Sequence, residues 1–280
     1  MASKNILVID GNTEETNRTQ HSFGGSATGE GYGETLTRIA PETTCVIARP
    51  AYEDYHRASV SLEGLDGAVI TGSALHVMDP SPQVQNQIDL VADVFDRSIP
   101  VFGSCWGLQL ACVVLGGTVS PSPHGLEVGI VEDVCLTKEG LSHPLFEGKP
   151  ACLEVMSIHS DEVSAVPEGA RVLAQNGHSP VQALEVVRGG KVFWGVQYHP
   201  EFGPRDMAAI YQRYRERFLA QGVYPSLAAV DQRIEAFQSM ARQEDAGTAE
   251  KRLCRGVAHF QSRTREIANW LHWLGREPRL

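Results

Sequence analysis

"PVFGSCWGLQLA" (100–111) is the stretch whose reading decides the fold. A proline opens a short apolar run that reads as a buried strand. From Trp106 to Leu115 the pattern is helical, up to a stop at Gly116 and Gly117. At the junction stands Gly-x-Cys-x-Gly, with Cys105 bracketed by Gly103 and Gly107. A strand that turns at once into a helix strains the residue at the bend, and flanking glycines remove the Cβ atoms that would clash there. The side chain at the bend is lifted off the sheet edge. The helix N-terminus points its N–H groups at the sulfur, which favours thiolate over thiol and later offers donors to an oxyanion.

Working outward, "NILVID" (5–10), "TCVIA" (44–48), "GAVITG" (67–72) and "IPVFGS" (99–104) each read as a short strand apolar on both faces. Residues 83–97 place Val84, Ile88, Val91 and Phe95 at helical spacing. This alternation predicts an α/β fold, three-layered, with a mostly parallel central sheet flanked by helices. From about 126 to 199 strand and turn patterns succeed one another and imply antiparallel additions to the same sheet. A helix is expected over 204–220. Two more with an interruption near "EDAGT" (244–248) form a C-terminal helical extension. The expected division is a catalytic domain over 1–222 and the extension over 223–280. Residues 11–33, polar and glycine-rich, are expected as a long mobile loop leading into a helix near 34–40.

Composition excludes several classes. A net charge of −10 argues against nucleic acid or an anionic membrane as partner. No stretch approaches the roughly 20 apolar residues of a membrane span, and "MASKNILVID" has no signal-peptide pattern. The cysteines at 45, 105, 112, 135, 152 and 254 show no CxxC pairing or regular spacing, so no disulfide is expected and a reducing cytoplasm is the expected compartment. The histidines show no HxxxH or HxH grouping, so no metal is expected. "GEGYG" (29–33) lacks the GK[ST] ending of a phosphate-binding loop, so no nucleotide cofactor is expected either.

A thiolate needs a proton carrier, and "GVQYHPEF" (195–202) supplies one: His199 follows a predicted strand, and Glu201 follows it across a stiff Pro200. "GSCWGLQ" together with "QYHPE" resembles the class I glutamine amidotransferases, whose glutaminase domains carry G-x-C-x-G-x-Q and a downstream H-P-E. "ITGS" (70–73) resembles that family's glycine loop. "SIHSDEV" (157–163) is similar to the segment lining the glutamine site in the glutaminase domain of GMP synthetase. The resemblance spans about 4–215. It implies Cys105 as nucleophile, His199 as general acid/base and Glu201 as its orienting partner. It further implies backbone N–H groups of Gly72 and Trp106 as oxyanion hole, with Gln109, Ser73, His159 and Ser160 toward the substrate. Tyr32, on the glycine-rich loop, is expected in a flap over the leaving group. His159 reads equally as pocket residue or strand cap, and His124 as solvated loop.

The implied activity is hydrolysis of a γ-glutamyl amide through a cysteinyl thioester, on a small-molecule substrate and without cofactor. Nothing resembles a synthetase motif. The chain reads first as a hydrolase of γ-glutamyl amides with a leaving amine larger than ammonia. The alternatives are a glutaminase subunit serving a separate synthetase, and a catalytically silent binding or regulatory protein. Phe260 and the tryptophans of the last helix suit a homo-oligomer or a synthetase interface.

Overall fold

The computed structural model describes residues 3–246 and 256–275. The chain starts with β1 (Lys4–Ile9), α1 (Glu14–Ser22), α2 (Thr28–Ile39), β2 (Thr43–Ala48), β3 (Gly67–Ile70), α3 (Pro82–Asp96), β4 (Val101–Ser104) and α4 (Trp106–Val114). It goes on through β5 (Thr118–Pro121), β6 (Glu127–Leu136), α5 (Lys138–Leu141), β7 (Cys152–His159), β8 (Asp161–Ala165), β9 (Ala170–Gln175), β10 (Ala183–Arg188) and β11 (Lys191–Val196). Then come α6 (Pro204–Arg213), α7 (Arg215–Ala220), α8 (Leu227–Asp245), α9 (Phe260–Arg263) and α10 (Arg265–Leu274).

Nine strands form the main sheet in the order β2-β1-β3-β4-β11-β10-β9-β6-β7. The first five neighbours run parallel, in registers such as Ile6↔Gly67 and Gly103↔Gly195. The remainder pair antiparallel, as the strand-and-turn pattern after residue 126 implies. β3 and β4 are buried along their whole length, which is why their sequences read as unbroken apolar runs. β5 and β8 form a separate two-stranded ribbon. One face of the sheet is covered by α3 and α4 through Leu90, Val91, Val94, Phe95 and Leu108. The other is covered by α2 and α10 through Leu36, Ile267, Trp270 and Leu271.

Two expectations are corrected here. Residues 11–33 are not a mobile loop: they fold into α1 and the first half of α2. Their polar side chains are consumed internally. Asp10, at the end of β1, accepts hydrogen bonds from Asn17 Nδ2 (2.8 Å) and from the Gly29 amide (3.1 Å), and Asn17 Oδ1 accepts from the Thr28 amide (3.0 Å). Polarity here marks a buried hydrogen-bond network rather than solvation. Secondly, Cys135 and Cys152 form a disulfide, because β6 and β7 are antiparallel neighbours that set the two residues opposite each other. Cys45, Cys105 and Cys112 are free thiols, and Cys254 lies outside the described residues.

The described residues of 223–280 pack on the rest of the chain. α8 packs on α6 through Val230, Ile234 and Phe237. α10 sits on the sheet, with Trp270 fully buried and its ring 5.9 Å from that of Phe102. Trp270 is therefore not part of a surface for a partner. Part of the expected interruption, residues 247–248, lies outside the described residues. Truncating Trp270 to Ala, which empties the space between α10 and β4, is expected to cost about 3–5 kcal/mol of unfolding free energy. A denaturant melt that shows one cooperative transition at a lower midpoint would verify that α10 shares the catalytic core.

Candidate active site

β3, β4 and β11 are adjacent and parallel, so their C-terminal ends deliver the segments 71–73, 104–106 and 197–201 to one edge of the sheet. This is where open α/β sheets place their ligands. Cys105 sits at the bend with φ 51° and ψ −102°, in a region that non-glycine residues rarely occupy. Its amide donates to the Val196 carbonyl at 2.8 Å, which ties the bend to the end of β11. A Cβ placed on Gly107 would fall 2.4 Å from the Ile70 carbonyl oxygen, so only glycine lets α4 start this close to β3. The Cys105 thiol donates to the Ile158 carbonyl at 3.6 Å.

His199 is held from three sides. Its amide donates to the Met156 carbonyl at 2.8 Å, its Nδ1 donates to Glu201 Oε1 at 2.8 Å, and the Phe202 ring stacks flat against it at 4.0 Å. Fixing Nδ1 on a carboxylate leaves Nε2 as the nitrogen that exchanges a proton with a reactant. Burial disfavours the charged imidazole. The Glu201 carboxylate, the Cys105 sulfur and their hydrogen bonds outweigh that and raise the His199 pKa to about 10. The site thus holds a thiol and a proton-carrying imidazole in one cavity, which can acylate the sulfur and protonate a leaving nitrogen.

Comparison with known proteins bears on this arrangement. The family model described as "Glutamine amidotransferase class-I" matches residues 31–215. The chain belongs to this family. A gamma-glutamyl-L-1-hydroxyisopropylamide hydrolase from a Pseudomonas species is 34% identical over 281 residues, covering 98% of this chain and 94% of that protein. The glutamine-hydrolyzing GMP synthase of Clostridium kluyveri is 36% identical over 135 residues, but the match takes in only 24% of that protein. Among solved structures, a glutamine amidotransferase from Thermotoga maritima superposes with a TM-score of 0.68 at 18% identity, over 98% of this chain and 99% of that one, and supports the fold. This class I amidotransferase is a cysteine-nucleophile amide hydrolase.

The remaining expected residues distribute as follows in this amidotransferase. Gly72, Ser73, Gln109, His159 and Ser160 line the same cavity as Cys105 and His199. Gln109 donates through Nε2 to the Asp161 carbonyl (2.8 Å) and to Gln197 Oε1 (3.3 Å). Ser73 donates to the Gly11 carbonyl at 2.7 Å and accepts from the Leu75 amide, so it also shapes the loop that carries Gly72. Trp106 begins α4, and its buried indole N–H donates to Gln87 Oε1 at 2.8 Å. Tyr32 is the exception. It is fully buried inside α2 with its hydroxyl 3.0 Å from Ser104 Oγ, below the elbow and outside the cavity, so it forms no flap. The helix took its place because the stretch was never a loop. His124 is exposed, as expected of a solvated loop.

His159 resolves into both of its readings: it lines the cavity and anchors the strand end. Nε2 lies 2.8 Å from Glu127 Oε2 and Nδ1 lies 3.1 Å from the Asp161 carbonyl. Glu127 also accepts from Ser157, Asn176 and Gln182. Burial would raise its pKa, but the His159 hydrogen bond and charge, with those of Asn176 and Gln182, lower it to about 2. His178 joins them, so that ligating atoms of Glu127, His159 and His178 lie within 4.8 Å of one another, a grouping that linear spacing did not show. Glu127→Gln, which takes a charged acceptor away from the buried Ser157, Asn176 and Gln182 donors, is expected to cost about 1–3 kcal/mol. The depressed carboxyl gives its full stabilisation above pH 4.5 and loses it as pH falls toward 2. Unfolding free energy measured across that window should therefore fall more steeply in the wild type than in the variant.

Sequence reasoning missed Phe202, whose stacking on His199 is signalled only by the "PEF" that continues the H-P-E run. It also missed the wall that α6 and α7 present to the cavity, with Ile210, Arg213, Tyr214, Arg217 and Phe218. Among the described residues no helix is long and apolar enough to cross a membrane.

Proposed function

We propose that the chain hydrolyses N-substituted γ-glutamyl amides directly, releasing glutamate and an amine larger than ammonia. One observation carries this reading: Cys105, on its strained bend, opens into the same cavity as His199, whose Nδ1 is tied to Glu201. His199 Nε2 takes the Cys105 thiol proton as the sulfur attacks the γ-carbonyl carbon, and the oxygen that becomes negative is received by the backbone N–H groups of Gly72 and Trp106. His199 gives the proton on Nε2 to the amide nitrogen. The C–N bond breaks and the amine departs, leaving a γ-glutamyl thioester on Cys105. Water then enters, His199 takes one of its protons, and collapse of the second tetrahedral intermediate releases glutamate and returns the proton to the sulfur. Gln109, Ser73, His159 and Ser160 hold the glutamyl part.

The near end-to-end match to a γ-glutamyl amide hydrolase favours direct hydrolysis over service to a synthetase. A second reading, a glutaminase passing ammonia to a separate synthetase, draws on the GMP synthase matches. The two separate in one assay of the isolated chain. Glutamate release that is at least tenfold more efficient from γ-glutamylethylamide than from L-glutamine, compared as kcat/KM, supports the hydrolase. Turnover of glutamine alone, stimulated by an added synthetase, supports the subunit.

A further inference from the structure

Resting on the hydrolase reading, we infer that the leaving amine carries a carboxylate, recognised by Arg213 and Arg217 at the cavity mouth. The direction of chemistry locates this subsite. The departing nitrogen takes its proton from His199, so the leaving group lies beside His199 in the cavity. On that side the wall continues from Phe202, stacked on His199, to α6 and α7, where Ile210 and Phe218 give an apolar floor and Tyr214 a ring. The two guanidinium groups lie over that ring, with centroid distances of 4.8 Å for Arg213 and 5.4 Å for Arg217. The aromatic holds them in place at the cavity mouth.

What makes the pair informative is the absence of an acid. The chain has 34 acidic residues against 24 lysines and arginines, and other arginines of these helices are paired: Arg205 with Asp245, and Arg215 with Asp231 and Glu216. Neither Arg213 nor Arg217 has a carboxylate within ion-pair distance among the described residues. The single carboxylate that lines the cavity, Asp161, is held by His76 at 2.6 Å. Two cations kept beside a catalytic thiol, in a strongly acidic protein, select for an anion supplied by the ligand. An amino acid or peptide linked through its amino group to the γ-carbonyl presents a carboxylate just beyond the scissile nitrogen, and a guanidinium binds it by paired charge-assisted hydrogen bonds.

The test compares three amides of equal acyl part in the purified full chain: γ-glutamylglycine, γ-glutamylethylamide and γ-glutamyl-(2-aminoethyl)amide, followed by glutamate release. The expected wild-type order is anionic over neutral by at least tenfold in kcat/KM, with the cationic amide poorest. The advantage should shrink as salt is raised. In R213Q/R217Q the anionic-to-neutral ratio should fall at least tenfold, and R217E should move the preference toward the aminoethyl amide. Wild-type enzyme that turns over the neutral amide as well as γ-glutamylglycine overturns the inference and leaves the hydrolase standing. Equal losses on all three amides in the variants also overturn it, because the arginines would then hold the glutamyl carboxylate. Failure of the wild type on every amide overturns the hydrolase reading, and this one with it.

Discussion

Cys105→Ala is expected to remove turnover of every γ-glutamyl amide by a factor of about 10⁴ or more, with no loss of fold. The scale follows from what the sulfur does. Without it no thioester forms, and the residual rate is what the oxyanion donors and substrate binding give to attack by water. The fold should survive because the position is a liability rather than a support: at φ 51° an L-residue is strained, and Ala keeps that strain without adding to it. Cys105→Gly should be just as inactive and melt higher, by about 1 kcal/mol, because glycine occupies this region without strain. Intact-mass spectrometry during turnover completes the case. The wild type should show the added mass of a γ-glutamyl group on the peptide containing Cys105, and both variants should show none. An Ala variant within a hundredfold of wild-type kcat/KM would remove Cys105 from the chemistry.

The parallel half of the sheet was legible because strands buried on both faces leave no room for polar residues, so "GAVI" and "VFGS" can hardly be read otherwise. The convergence of Cys105, His199 and Glu201 at one edge of the sheet was legible for a related reason. A nucleophile at a strand-to-helix turn needs glycine on both sides, and an imidazole with a fixed carboxylate fits on one short turn. What stayed hidden depends on contacts made far along the chain. α1 buries Asn17 and Gln20, and α2 buries Thr28 and Gly29, so neither helix start shows an apolar stripe. The stabilising partner, Asp10, becomes visible only once β1 ends beside them. Cys135 and Cys152 stand 17 residues apart and are joined only by the register of β6 and β7. Glu127 meets His159 from 32 residues away for the same reason. Tyr32 was misplaced because a helix was taken for a loop, and a helix turned its ring into the core.

Gly72→Ala should damage catalysis severely through one added methyl group. A Cβ there would lie 2.5 Å from Cε1 of His199, far inside van der Waals contact, and the imidazole has nowhere to go. Phe202 lies flat on the ring, Glu201 holds Nδ1, and the backbone amide is fixed to Met156. Either the imidazole tilts and moves Nε2 off the leaving nitrogen, or the loop carrying the Gly72 N–H retreats and the oxyanion loses a donor. A misplacement of about 1 Å costs roughly 10²-fold and a lost oxyanion donor about 10²–10³-fold, so either route should slow turnover by roughly a hundredfold to a thousandfold. The two routes differ in what else they change. A tilted imidazole weakens the Glu201 contact that raises the His199 pKa, so the alkaline limit of the profile, where His199 loses its proton, should move to lower pH. A retreating loop leaves the profile in place and lowers kcat alone. Measuring kcat across pH for wild type and Gly72→Ala, with covalent labelling of Cys105 by iodoacetamide as a check that the sulfur is still presented, decides between them. A variant with unaltered kcat would mean that the Gly72 loop stands clear of the reaction.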